Sequence, residues 1–306
     1  MSGSAYVEAE IASQPGTWRR AAALAAGPTG SLLPKKGERV AVVGCGTSLY
    51  MAQAYAVLRE EAGLGDTDAF AASEFPFGRA YDRVVALSRS GTTTEVLELL
   101  QRLKGLTPTV AVIADPNTPA PELAEATIVL DFADERSVVQ TRFATTALTL
   151  FRAHVAAQSG TAFDLEKIVA DAERCVTEPL PEAILDKTQF AFLGRGWTIG
   201  LANEAGLKMT EASLTWTQSY PAMEYRHGPI SIASPGTVTW MLGTAPRGLA
   251  EQVQATGGQW LDPADGRDPL AELIRVQRLA VALGGRKGLE VDNPRNLTRS
   301  IILSEV

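Results

Sequence analysis

The chain has 306 residues, 45% of them hydrophobic, which is enough to bury a large core in two domains of ordinary size. Its net charge of −7 argues against a nucleic-acid surface, because binding a polyanion requires clustered Lys and Arg to displace counterions. Two distant cysteines, Cys45 and Cys175, offer no disulfide framework and no zinc or redox pair. Without a bilayer-length apolar run or a signal-like start, the sequence predicts a cytoplasmic protein that does not enter the membrane.

In chain order, the pattern predicts a helix over about 11–26 and a Gly/Pro-rich connection over 27–37. The apolar run Arg39-Val-Ala-Val-Val43 then reads as a strand. It ends in Gly44-Cys-Gly-Thr-Ser48, after which a helical pattern continues to about Ala62. A second cycle follows, with a strand at Arg83–Leu87, a loop at Ser88–Thr93 and a helix at Thr94–Leu103. A third strand is expected over 109–114. Strands alternating with helices imply a parallel, doubly wound sheet with ligands beyond the strand carboxyl ends.

The strand-Gly-x-Gly-helix unit recurs at Gln189-Phe-Ala-Phe-Leu-Gly-Arg-Gly-Trp-Thr198, so the fold is expected twice. Helical stretches over 141–158 and 165–178 would join the halves. The boundary is placed near residue 170, giving domains 1–170 and 171–306.

Gly44-x-Gly46 does not complete a dinucleotide fingerprint, since Leu49 stands where the third glycine belongs and Ile199 does so in the repeat. Thr47 and Ser48 instead put hydroxyls at a helix start, where unpaired N–H groups and the helix dipole attract anions; a plain N-cap is the alternative. Ser88-Arg-Ser-Gly-Thr-Thr93 has four hydroxyls, a cation and a permissive glycine, a composition suited to cradling a phosphate without a Walker lysine. An ordinary hydroxyl-rich turn is the alternative there.

Further along, Glu204, Lys208 and Glu211 share one helix face, as would either a solvated salt-bridged stripe or an acid–base set. Of the two histidines, His154 lies in an apolar helical pattern and His227 in the loop Met223–Pro229. That placement gives His227 the better claim to chemistry.

Taken together, six segments resemble the isomerase half of glucosamine-6-phosphate synthase and its stand-alone sugar isomerase (SIS) relatives over roughly residues 38–306. They are Gly44–Ser48, Ser88–Thr93, Glu135–Thr141, Gly206–Glu211, Glu224–Pro229 and Asp292–Leu297. The resemblance implies an α/β chain of two tandem SIS domains, each a flavodoxin-like three-layer sandwich. It further implies that Ser88, Ser90 and Thr93 bind a sugar phosphate, that Cys45, Gly46, Thr47 and Ser48 complete the pocket, and that Val138 lines the sugar; Arg89, standing where the family usually has glutamine, would add positive charge near the phosphate. Glu211 would move a proton between C1 and C2, Lys208 would polarise the adjacent oxygens, and His227 would help open the ring from across a homodimer. No cofactor or metal is expected, since a base and an enediolate-stabilising cation suffice for this reaction.

The chain departs from that pattern where it starts at the isomerase portion, which predicts no glutamine hydrolysis. It also carries Arg299 where the family has a Schiff-base lysine. A guanidinium is not an amine nucleophile, so Arg299 is expected to bind substrate oxygens instead. The sequence thus predicts an aldose–ketose isomerase or deaminase acting on an (amino)sugar phosphate. Alternatives are a fructosamine-phosphate deglycase and a non-catalytic sugar-phosphate-binding regulator.

Overall fold

The computed structural model of the chain describes residues 4–263 and 265–303. It contains two parallel sheets flanked by helices. The first is built from β1 (Val40–Gly44), β2 (Thr67–Ala71), β3 (Arg83–Ser88), β4 (Thr109–Ile113) and β5 (Ala126–Val129), in the order β2-β1-β3-β4-β5. The second is built from β6 (Gln189–Gly194), β7 (Trp216–Pro221), β8 (Thr237–Leu242) and β9 (Gln259–Leu261), in the order β7-β6-β8-β9. Every pairing is parallel. Both sheets place their first strand second from the edge and reverse direction of growth there, which opens a crevice at the carboxyl ends of β1 and β3 and of β6 and β8.

The helices are α1 (Ala5–Ala26), α2 (Thr47–Glu61), α3 (Thr94–Leu103), α4 (Ala120–Leu123), α5 (Arg142–Ser159), α6 (Leu165–Thr177), α7 (Thr198–Ser213), α8 (Leu249–Ala255) and α9 (Pro269–Arg286). None is long and apolar enough to cross a membrane among the described residues. Neighbouring residues of a strand face opposite sides. Ala41 and Val43 pack with Val96, Leu99 and Leu100 of α3, while the intervening Val40 and Val42 are equally buried on the other face. Burial on both faces is why β1 and the Val110–Ile113 stretch of β4 read as unbroken apolar runs rather than as alternating ones.

Contacts divide the chain into two compact units. One comprises Gly16–Leu165 with the segment from Leu297 on; the other comprises Glu166–Asn296 with the segment up to Pro15. Both chain ends therefore differ from the division 1–170 and 171–306 expected above, and hydrogen bonds explain why. The amides of Tyr6 and Val7 donate to the Asp292 carboxylate at 3.0 and 2.7 Å, and Gln14 donates to Gln277 at 2.7 Å, which attaches the start of α1 to α9 and the segment after it. The Arg299 carbonyl accepts from Arg89 at 3.0 Å, which attaches the later segment to the first sheet. The second half of α1 packs on α5 through the pairs Thr17–Thr146 and Trp18–Thr145.

Helix α1 begins earlier than the pattern suggests and carries Pro15 inside it. Strand β2, absent from the sequence reading, is an edge strand whose placement depends on Arg59 of α2. That fully buried guanidinium donates to Thr67 Oγ1 at 3.1 Å, to the Pro34 carbonyl at 3.3 Å and to the Leu64 carbonyl at 3.0 Å, which ties the loops before β1 and β2 to α2.

Next to α2, Tyr55 stacks on Phe151 of α5 with ring centroids 4.2 Å apart, and His154 lies one turn on, buried. Neither ring nitrogen of His154 has a hydrogen-bond partner among the described residues. Burial, and then the Arg59 charge, push this imidazole from 6.5 down to about 4. An unfolded chain takes up that proton near its ordinary value and the native chain only near the lowered one. His154 therefore costs no stability above the ordinary value, and as pH falls below it acid favours unfolding by about 1.4 kcal/mol per pH unit. Urea unfolding of His154→Leu beside the wild type should show the variant gaining relative stability as the pH is lowered from about 6.5 to 5. A difference that stays constant over that range would contradict the account.

Candidate functional site

Each sheet ends its first strand in the same device. A Cβ on Gly44 would lie 2.6 Å from the Ser48 carbonyl carbon, and one on Gly194 would lie 2.3 Å from the Thr198 carbonyl oxygen. Only a residue without a side chain lets the first turn of α2 or α7 sit directly on the strand end. The second glycines, Gly46 and Gly196, then turn the chain with φ of 54° and 53°. Two helices are thereby aimed at two strand-end crevices, and the hydroxyl loop and the charged helix face belong to different units.

In the first unit, Gly46 occupies the N-cap of α2, so Thr47 and Ser48 are its first helical residues rather than caps, and both are buried. Across the crevice, Ser88-Arg-Ser-Gly-Thr-Thr93 runs from the end of β3 to the N-cap of α3. Gly91 adopts a φ of 63°, and Thr93 makes no side-chain cap bond. The hydroxyls converge: Thr93 Oγ1 is 3.5 Å from both Ser88 Oγ and Ser90 Oγ. Backbone amides add to the arrangement, Gly91 N donating to Ser88 Oγ and Thr92 N to Ser90 Oγ, both at 3.2 Å. Loop and turn meet at a small cavity of about 30 Å³ lined by Cys45, Ser48, Ser88, Ser90, Thr93 and Arg299 among others. Burial, reinforced by Glu95, raises the Cys45 thiol above its ordinary range, so it lines this cavity as a neutral group rather than a thiolate.

Arg89 is buried, and its guanidinium is engaged with backbone: it donates to the carbonyls of Ser137 and Val138 at 3.0 and 3.1 Å and to that of Arg299 at 3.0 Å. It thus fixes the 135–141 segment and the 299 region around the loop, whereas the sequence reading had put its charge to work on phosphate. The Glu135 carboxylate completes this framework by accepting from the amides of Thr141 and Arg142 at 2.6 and 2.8 Å, so an anion caps the N-terminus of α5. Val138 is half-buried in the same segment. Arg299 pairs with the Asp134 carboxylate and donates to the Glu135 carbonyl, so its side chain has a structural anchor as well as a place in the cavity wall.

In the second unit, α7 carries Glu204, Lys208 and Glu211 along one face, but not as a solvated stripe. Glu204 and Lys208 are buried and only Glu211 is partly exposed. The Lys208 ammonium lies 3.6 Å from Glu204 and in contact with Glu211, so one cation bridges two carboxylates. A lone buried ammonium would be strongly disfavoured, and its flanking anions hold it in place. Glu211 also borders a cavity of about 270 Å³, whose walls include Leu214, Gly288, Asn293 and Arg295. His227 ends a short helical turn, Glu224–His227, that follows β7, and it is exposed. The turn is fixed from below by Tyr225, buried with its hydroxyl 3.2 Å from Thr239 Oγ1. Among the described residues no group of three or more His, Cys, Asp or Glu is placed to hold a metal ion.

The chain as a whole is similar to known proteins. The glutamine–fructose-6-phosphate aminotransferase (isomerizing) of Gloeobacter violaceus is 29% identical over 320 aligned residues, which include 86% of this chain and 52% of the relative. Among solved structures, the C-terminal domain of glucosamine-fructose-6-phosphate aminotransferase from Francisella tularensis superposes with a TM-score of 0.80 at 22% identity, covering 93% of this chain and 97% of that one. The chain is similar to the isomerase (SIS) half of such aminotransferases. The resemblance read from the six segments is thereby borne out, and the chain spans about half the length of the curated relatives it matches. Glucosamine-6-phosphate deaminase from Thermotoga maritima shares the fold as well, with a TM-score of 0.78 at 21% identity over 97% of this chain and 99% of its own. No protein-family model matches the sequence.

The clamp made by Arg89 has a measurable consequence. Truncating Arg89 to Ala leaves carbonyls at 137, 138 and 299 without their donor, and one buried unsatisfied group costs about 1–3 kcal/mol. Urea denaturation should show Arg89→Ala less stable by at least about 2 kcal/mol. A change below about 0.5 kcal/mol would refute the clamp.

Proposed function

We propose that this chain is a phosphosugar isomerase or deaminase of the SIS type, acting on an (amino)sugar phosphate such as glucosamine 6-phosphate or fructose 6-phosphate. The observation that carries the reading is the convergence of the Ser88, Ser90 and Thr93 hydroxyls, within 3.5 Å of one another through Thr93, at the strand-end crevice beside the start of α2. Three hydroxyls and a helix N-terminus suit a tetrahedral dianion better than a neutral sugar hydroxyl.

In this reading Ser88, Ser90 and Thr93 grip the phosphate, and the turn Cys45-Gly46-Thr47-Ser48 completes the pocket. Glu211 is the base. Its carboxylate takes the proton from the carbon beside the carbonyl, the C–H electron pair forms the enediol double bond, and the carbonyl pair moves onto oxygen. Returning the proton to the neighbouring carbon, while the hydroxyl proton of the second oxygen passes to the first, completes isomerisation. With an amino group on the second carbon the same proton transfer gives an imine there; water adds to that carbon, the C–N bond breaks, and the nitrogen leaves with a proton as ammonia, which gives deamination. Lys208 stabilises the developing oxyanion, a role supported by its being held, buried, against Glu211. The exposed turn bearing His227 supports its acting in ring opening at a partner subunit's site in a homodimer.

Position 299 bears on the kind of chemistry. A guanidinium paired with Asp134 does not form an imine with a ketose, so the proposal runs through proton transfer and not through a Schiff base at this residue. The same observation favours the second reading, a sugar-phosphate-binding regulator without turnover.

Purified protein should interconvert fructose 6-phosphate and its aldose, or release ammonia from glucosamine 6-phosphate. Glu211→Gln should lower kcat by about 100-fold or more, with the Kd for fructose 6-phosphate changed no more than about twofold. Binding without turnover in the wild type would rule out the enzyme and leave the regulator.

A further inference from the structure

The hydroxyl loop already holds a guest, and it comes from the chain itself. Ser300 Oγ lies 3.1 Å from Ser90 Oγ, 2.9 Å from Thr92 Oγ1 and 3.5 Å from Thr93 Oγ1. The segment around it crosses the start of α3: Thr94 N donates to the Ile301 carbonyl at 3.1 Å, and Leu303 N donates to Thr94 Oγ1 at 2.9 Å. One residue earlier, the Arg299 carbonyl accepts from Arg89. With this segment in place the cavity behind it is small, about 30 Å³. A phosphoryl group, with several acceptor oxygens around phosphorus, would compete with Ser300 for the hydroxyls of Ser90 and Thr93.

From this we infer that residues 300–303 form a displaceable strap, in which the Ser300 hydroxyl stands in for a phosphate oxygen and must leave before a sugar phosphate can enter. The inference rests on reading the loop as a phosphate cradle. Its energetics follow from what holds the strap down. Ile301, Ile302 and Leu303 are exposed, so hydrogen bonds rather than apolar burial hold this segment. A neutral hydrogen bond nets about 0.5–1.5 kcal/mol, while one to a charged acceptor is worth about 1.5–3 kcal/mol. A dianion accepting from the hydroxyls of Ser88, Ser90 and Thr93 therefore outcompetes Ser300, whereas a neutral sugar hydroxyl only matches it. The strap thereby selects for phosphorylated ligands, with Arg299 anchored to Asp134 as its hinge.

Isothermal titration calorimetry on the full chain, with fructose 6-phosphate, inorganic phosphate and fructose as probes, tests this directly. Ser300→Ala removes the competing hydroxyl and should tighten both phosphorylated probes by about three- to tenfold, the worth of one neutral hydrogen bond. Unchanged or weaker binding, with the wild type still preferring the phosphorylated probes, would overturn the strap and leave the cradle standing. Failure of both proteins to bind either phosphorylated probe would overturn both. In the wild type, saturating fructose 6-phosphate should speed hydrogen exchange of the Leu303 amide as its bond to Thr94 is lost, and slower exchange there would contradict the strap.

Discussion

The placement of α2 and α7 depends on a steric constraint at two strand ends. Gly44 and Gly194 leave no room for a side chain, so α2 and α7 begin in contact with β1 and β6. This close seating puts the α2 turn, with Ser48, into the wall of a cavity that it shares with the 88–93 loop. At the second strand end it seats α7, which carries the partly exposed Glu211 in its last turn. Adding even one methyl at either glycine would force helix and strand apart and misaim the groups that follow.

Around the first crevice, charge is used to hold backbone. Arg89 ties together three carbonyls, Glu135 caps α5, and Arg299 pairs with Asp134. These interactions leave the hydroxyls as the groups that converge inside the crevice. Around the second, charge is concentrated, with Lys208 between Glu204 and Glu211. The contrast is between a crevice where hydroxyls converge within a framework held by Arg89 and Arg299 and a helix face where one cation lies between two carboxylates.

Much of this was legible in the sequence because some features permit few alternatives. The Ser88–Thr93 loop and the bounds of α3 follow from an apolar strand running into hydroxyls and then into a helical period. The repeated Gly-x-Gly announced the paired strand ends. The edge strands β2, Thr67-Asp-Ala-Phe-Ala71, and β7, Trp216-Thr-Gln-Ser-Tyr-Pro221, were not legible, because they are short, partly polar and defined by pairing with β1 and β6 rather than by their own pattern. The burial of Glu204 and Lys208 was invisible for a different reason: three charges on one helix face read alike in solvent and in a core. Nor does any local signal show that Arg89 points into backbone or that Ser300 folds back on the loop. Both depend on contacts between residues 48 to 210 positions apart in the chain, which periodicity does not encode.

The most direct test of the central claim, that the Ser88–Thr93 hydroxyls grip a phosphate, is to compare binding of fructose 6-phosphate and fructose by the wild type and by the Ser90→Ala/Thr93→Ala double variant. Removing two charge-assisted hydrogen bonds should weaken the phosphorylated sugar by at least about 100-fold and leave the free sugar within about twofold. Equal losses for the two ligands would show that the loop does not recognise phosphate.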